Sequence, residues 1–217
     1  MSIIYPLAHL SLGLIEWLLI GWSIRLWQLS TSLAMIVLPI VLGCISYDNL
    51  LLSTGSLIGQ GELLKTLSLI RFILHYLVVP LFIVIGVELA HRAGAGWANN
   101  MVRVLSWVIA LGLATTDIAI NYVGIELVPF QFAGILRYRV ANLSRLPMIT
   151  IIVNVFMLLI GIGIWIRLKW SWLFVGTLAS LVGNAIPSAL VGTIVGSTSE
   201  FLLAISLLFT QQFSLRK

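Results

Sequence analysis

Apolar residues run along this chain in stretches long enough to cross a bilayer, which a helix does with about 20 residues at 1.5 Å rise each. Seven such spans are predicted, at about 4–25, 31–53, 69–91, 101–123, 147–166, 170–188 and 190–212. Polar punctuation sets the boundaries. Trp22, Arg25 and Trp27 close the first span, and a hydroxyl from Ser30 or Thr31 can cap the second. Residues 53–66 hold Gly55, Gly59 and Gly61 with Glu62 and Lys65, a loop composition. His91-Arg92-Ala93-Gly94 ends the third span with a basic last turn and a glycine stop. The longest connection, 123–146, carries Pro129, Arg137, Arg139 and Arg145, and part of it is expected to lie on the membrane surface as a short amphipathic helix. Gly183-Asn184-Ala185-Ile186-Pro187-Ser188 reads as a tight turn. If Pro187 only kinks a helix, the sixth span continues toward Val195 and the seventh shortens, with six spans as the fallback.

Composition agrees with the pattern. The chain is 60% hydrophobic and only 9% charged, with a mean hydropathy of +1.13. Soluble domains run near ~25% charged, so a water-exposed surface cannot be built from it. The expected fold is an all-α, polytopic transmembrane helical bundle of seven spans. Residues 1–217 form a single transmembrane domain, since the spans leave no room for a soluble one. The net charge is +5, but the twelve Lys and Arg residues are scattered among loops, which excludes a nucleic-acid surface. They set topology and touch anionic lipid heads, so membrane lipids are the expected partners. Cys44 is alone, which excludes an intrachain disulfide. Met1-Ser2-Ile3-Ile4-Tyr5 lacks a basic leader and a cleavage pattern, so the first span is expected to stay uncleaved.

Basic residues also orient the bundle. Arg25, Arg92, Arg103, Arg167, Lys169, Arg216 and Lys217 fall on one face, against Lys65, Arg71, Arg137, Arg139 and Arg145 on the other. Seven against five favours an extracytoplasmic N-terminus and a cytoplasmic C-terminus. Seven tryptophans (Trp22, Trp27, Trp97, Trp107, Trp165, Trp170 and Trp172) lie near the more basic face.

Polar residues inside the spans carry the candidate chemistry. A charge at the centre of a bilayer costs at least ~2.5–3.5 kcal/mol, so it usually faces the bundle interior or a wet cavity. Measured from the Trp-poor face, Asp48, His75, Asp117 and Asn184 lie roughly 6–9 Å deep, and Glu16, Asn154 and Glu200 roughly 10–18 Å. Arg71 and His75 share a helix face at i,i+4, as do Asp117 and Asn121, while His9, Gly13 and Glu16 line one stripe. This pattern predicts a polar pocket toward the Trp-poor face, roofed by the 53–68 and 124–146 loops. The competing expectation is structural, with Asp48–Arg71 and Asp117–His75 paired only to fix helix register. Glu88, His91 and Arg92 at the opposite end of a span are expected to be solvated and interfacial.

Motifs narrow the chemistry by exclusion. The chain lacks a Gly-x-Ser-x-Gly elbow, a phosphate-binding glycine loop, His-Glu-x-x-His and Cys-x-x-Cys. No metal-ligand spacing occurs, and no cofactor is called for; a bis-histidine haem would need His9 and His75 at matching depth on facing helices. No lysine lies in the last span for a retinal linkage. Asn142-Leu143-Ser144 matches a glycosylation sequon, and Gly192-x-x-x-Gly196 a close helix contact, within the chain or between copies in a homo-oligomer.

Asp48-Asn49-Leu50, Gly59-Gln60-Gly61-Glu62-Leu63-Leu64, Arg71-Phe72, His75 and Pro80-Leu81 together resemble a stretch found in small uncharacterised multi-pass proteins of cyanobacteria, other bacteria and fungi. The resemblance covers roughly residues 47–94 and implies no known reaction. It places interest on Asp48, Asn49, Arg71 and His75. The expected location is a bacterial plasma membrane, with the thylakoid membrane as the alternative for a cyanobacterial source.

The expected function is to bind, or act by acid–base chemistry on, a lipid or isoprenoid headgroup. His75 would move the proton and Asp48 or Asp117 would orient it. Arg71, Asn49, Asn121 and Asn184 would contact the ligand. Two alternatives stand beside it: a proton-coupled transporter using Glu16 and Glu200, and a structural or assembly protein whose polar groups serve packing alone.

Overall fold

The computed structural model describes residues 3–141 and 147–216. The sequon at 142–144 and Arg145 lie outside them. Among the described residues, six helical stretches are long and apolar enough to cross a membrane, one of them Glu62–Arg92, as a multi-pass integral membrane protein requires. In chain order the elements are α1 (Ile4–Ser30), α2 (Val37–Ile58, entered through a tight turn at Leu33–Ile36), α3 (Glu62–Val78), α4 (Phe82–Arg92) and α5 (Asn100–Asp117, continued by a π turn at Ile118–Tyr122). A hairpin follows, β1 (Leu127–Phe132) and β2 (Ile135–Val140), then α6 (Met148–Leu168), α7 (Trp172–Ala185), the short turn α8 (Ser188–Val191) and α9 (Ile194–Leu215).

Three expectations change. The region 53–66 is largely helical, because α2 runs on to Ile58 and α3 begins at Glu62, leaving Gly59–Gly61 as the turn. The 123–146 connection folds as a β-hairpin, not a surface helix. Leu127–Phe132 and Ile135–Val140 alternate around an Ala133-Gly134 turn in which both residues take positive φ, 48° and 89°. The sixth predicted span is the 14-residue α7, too short to count among the six membrane-length helices. Pro187 marks a true break: α7 stops at Ala185, and α9 starts only at Ile194. A second break, unforeseen, falls at Val79-Pro80-Leu81 between α3 and α4, where the proline ring cannot continue the hydrogen-bond ladder.

Burial follows the logic of a bilayer. Side chains such as Leu14, Trp17 and Leu18 of α1 and Val104, Val108 and Leu111 of α5 point outward. His9, Glu16, Asn49, Glu88 and Gln211 are enclosed. The α3–α4 segment is the most enclosed membrane-spanning stretch. Its Ile83, Val84, Ile85 and Leu89 meet Leu38 and Leu42 of α2 and Met157 of α6 in the core. Small residues let the last two long helices touch. A side chain added at Gly176 would run into Ser206, and one added at Gly183 into Ser199, so α7 and α9 pack antiparallel at near-backbone contact. The predicted Gly192/Gly196 contact is not this one: Gly192 lies in the break before α9, and Gly196 abuts the Asn184 side chain.

On the face opposite the hairpin, Glu88 is enclosed rather than solvated. Arg92 Nε and Arg103 Nε each donate to its carboxylate at 2.9 Å, and Arg92 Nη2 also donates to the terminal carbonyl of α1, Ser30, at 3.0 Å. This cluster ties α1, α4 and α5 together where a helix end would otherwise leave a carbonyl without a partner. Removing Glu88, whose side chain is 2% exposed, strands two guanidinium groups. Glu88→Ala should therefore cost about 3 kcal/mol. Lys65→Ala, which breaks a solvated 3.7 Å pair with Glu62, should cost under about 0.5 kcal/mol. Unfolding of both variants in detergent checks the contrast; equal melting would show that the cluster does not hold these helices.

Candidate functional site

The hairpin roofs one end of the bundle. A two-stranded ribbon is barely stable alone, so it must be held from below. Gly55 of α2 allows this, because a side chain there would strike the Leu136 carbonyl oxygen. Next to it, Ser56 Oγ donates to Gly134 O at 2.6 Å and accepts from Leu136 N at 2.8 Å. Tyr138 packs on Leu51 of α2 and Leu64 of α3, with Leu136 beside it, in a small second core. By strand alternation, Arg137 and Arg139 occupy the other face of β2. Their guanidinium carbons lie 5.5 and 4.2 Å from the ring centre of Phe130.

Beneath the hairpin lie neighbouring cavities that share lining residues. One of about 510 Å³ is bordered by Asp48, Arg71, Arg137, Arg139, Asn184 and Glu200. A second, about 300 Å³, shares Asp48, Arg71, Phe72 and Glu200 and adds His75 and Ile45. A third, about 390 Å³, is bordered by His75, Tyr76, Asp117, Asn121 and Glu126. From His75, Asn184 and Glu200 a narrow seam of about 50 Å³ continues between Val41, Val78 and Leu203. The larger volumes fall in the range of small-molecule sites, ~300–1,000 Å³. Three helix interruptions border this space: the α3–α4 break at Val79, the π turn at Ile120 and Asn121, and the α7–α9 break at Pro187 and Thr193. Irregular backbone at such positions is tolerated where it lines a cavity, and π turns recur at functional sites.

The structure separates the predicted residues into two groups. Asp48, Arg71, His75, Asp117, Asn121, Asn184 and Glu200 all border these neighbouring cavities. Within that group the expected pairing is half realised. Arg71 Nε donates to Asp48 Oδ1 at 3.0 Å, but Asp117 accepts from Asn121 Nδ2 at 2.6 Å instead of pairing with His75. Among the described residues, His75 has no hydrogen-bond partner; its ring meets Tyr76 edge-on at 6.1 Å. Neither aspartate therefore orients it. Glu200, placed deeper by helical rise, nonetheless reaches the cavity that holds Asp48 and Arg71.

The second group is closed. Asn49 has no exposed surface and sits between His9 and Glu16, which have none either. Its Nδ2 donates to both Glu16 carboxylate oxygens at 3.0 and 3.1 Å, and its Oδ1 lies 2.8 Å from His9 Nδ1. With Nδ1 carrying the proton, His9 Nε2 accepts from the Thr193 hydroxyl at 2.8 Å. This chain locks α1 to α2 and to the start of α9, and it leaves Asn49 no free group for a ligand. With both ring nitrogens engaged, His9 is not free to join His75 as an axial ligand. Among the described residues, no group of three His, Cys, Asp or Glu side chains could hold a metal.

No family model matches this chain, and neither does any curated protein or solved structure. The site must be read from its own geometry.

Arg137 and Arg139 are the residues that sequence reasoning missed. The alternation Leu136-Arg137-Tyr138-Arg139-Val140 after an Ala-Gly turn carried the signal of a strand with one basic face. Burial, reinforced by the nearby Arg71 charge, lowers the Arg137 guanidinium to about 10. The division into open and closed groups has a direct test. Asn49→Leu removes the partner of two enclosed groups and should cost about 3 kcal/mol in detergent unfolding, while leaving co-purifying lipid unchanged. Loss of bound lipid at undiminished stability would place Asn49 in the site after all.

Proposed function

We propose that this protein binds the headgroup of an anionic lipid or isoprenoid at the end of its bundle, and that His75 is positioned for proton transfer there. The observation that carries this reading is a polar cavity lined by three arginines at the ends of membrane-spanning helices, sharing lining residues with an apolar seam. Volume decides what enters. The ~510 and ~300 Å³ spaces suit a headgroup, whereas the ~50 Å³ seam is far too small for an acyl or prenyl chain. The tail therefore stays in the bilayer or between helices while the head is held under the hairpin.

His75 suits the proton role because nothing else occupies it. An imidazole with no hydrogen bond contributes little to register, and this one borders three of the four spaces. Asp48 is committed to Arg71, and Asp117 to Asn121. In the ligand-bound state the headgroup itself supplies the partner for His75. The transporter alternative uses Glu16 and Glu200; Glu200 borders the cavities, but the closed Glu16–Asn49–His9 chain argues against Glu16, because a coupling carboxylate has to be reached from both sides. In this reading the short α7 counts as a seventh crossing, which puts the termini on opposite sides; the excess of Lys and Arg on the C-terminal side then favours an extracytoplasmic N-terminus.

The test pairs stability with ligand content. His75→Ala should melt within about 1 kcal/mol of wild type, because no hydrogen bond is lost. It should also co-purify with less of one specific lipid by mass spectrometry. A variant that unfolds far more easily yet keeps the same lipids would make His75 structural and end this reading.

A further inference from the structure

Three guanidinium groups face one cavity, yet only one of them is matched. Arg71 is paired with Asp48 at 3.0 Å. Arg137 and Arg139, two residues apart on β2, stack over Phe130, and neither has a carboxylate within 4.0 Å among the described residues. Among the described residues, Arg137 Nη2 reaches only the Ser188 hydroxyl, at 3.3 Å. The Nε of Arg139 is enclosed and has no hydrogen-bond partner among the described residues. Leaving a charged donor enclosed and unpaired is costly, and so is gathering like charges away from water. Glu200 also borders this space, so the cavity is not uniformly positive; an anion is drawn to the hairpin side, where the unmatched groups lie.

We infer that Arg71, Arg137 and Arg139 form a site for a terminal phosphoryl group, a phosphomonoester or diphosphate. With Asp48 balancing Arg71, the two hairpin arginines carry two unmatched positive charges on their side of the cavity, and a phosphoryl dianion matches that number where a carboxylate or phosphodiester supplies one. Its oxygens also accept from forked guanidinium donors arriving from α3 and from β2 together, the geometry that arginine presents and lysine does not. Ligand binding then tethers the hairpin to the bundle through the charge it shares. This inference deepens the headgroup reading above and rests on it for the lipid source of the phosphoryl group.

The experiment uses the full chain in a neutral detergent and phosphate-free buffer. Thermal melting is followed with three probes: dihexanoyl phosphatidic acid, dihexanoyl phosphatidylcholine and inorganic phosphate. Phosphatidic acid should raise the melting temperature and phosphatidylcholine should not. R137Q/R139Q should bind phosphatidic acid about 100-fold more weakly, roughly tenfold for each lost guanidinium. R139K, which keeps the charge but not the fork, should lose about threefold, less than the roughly tenfold of R139Q. Without ligand, R137Q/R139Q should melt at or above wild type, because two unmatched charges are gone; a clear fall would show that the arginines serve the fold and would overturn the site. An undiminished phosphatidic acid shift in the double variant would overturn it too. Inorganic phosphate binding as tightly as phosphatidic acid would uphold the phosphoryl site and sink the lipid reading. A phosphate-free lipid retained by wild type, with no phosphatidic acid shift, would do the reverse.

Discussion

Polar groups taken out of water must find partners inside the bundle, and that requirement organises this protein more than any single apolar contact. Lipid tails are as apolar as leucine, so hydrophobicity drives the helices into the bilayer but gives them little reason to pack in one arrangement. Arrangement comes from polar links that close only when particular helices meet. Glu16, Asn49, His9 and Thr193 join α1, α2 and the N-terminus of α9 in this way. At the opposite end, Glu88 with Arg92 and Arg103 joins α4 to α5 and reaches the last carbonyl of α1.

The same requirement separates scaffold from site. Where donors and acceptors are matched and sealed, as around Asn49, the group has no remaining valence for a ligand. Where they are unmatched among the described residues and face open volume, as at His75 and Arg139, the structure holds groups that a packing role does not explain. Helix interruptions fall on this second side. The breaks at Val79 and Pro187 and the π turn after Asp117 leave backbone out of register beside the cavities, where a polar ligand or water can satisfy it.

A β-hairpin is an unusual roof for a helical membrane protein, and its position explains its chemistry. Its strands bond to each other, so backbone groups are largely satisfied without a sheet, and it lies at the bundle end where water can meet the outer edge. Strand alternation then gives it two different faces. Tyr138 grips α2 and α3, and the two arginines turn the other way. A surface helix of the same length would have spread those side chains over 100° steps and could not have set two guanidinium groups side by side two residues apart.

The sequence by itself determined the membrane class, the helical content and the level at which polar groups enter the bundle. Apolar length and helical rise are local quantities, and so Asp48, His75, Asp117 and Asn184 could be grouped at one end before any contact was known. The Asp48–Arg71 pair was within reach for the same reason. Only tertiary structure decided which polar groups are sealed and which stay open, because that depends on residues 40 or 184 positions away, as His9 shows with Asn49 and Thr193. It also decided that Arg137 and Arg139 belong to the site. A loop's charge has no address until Gly55 and Ser56 of another element fix where the hairpin rests.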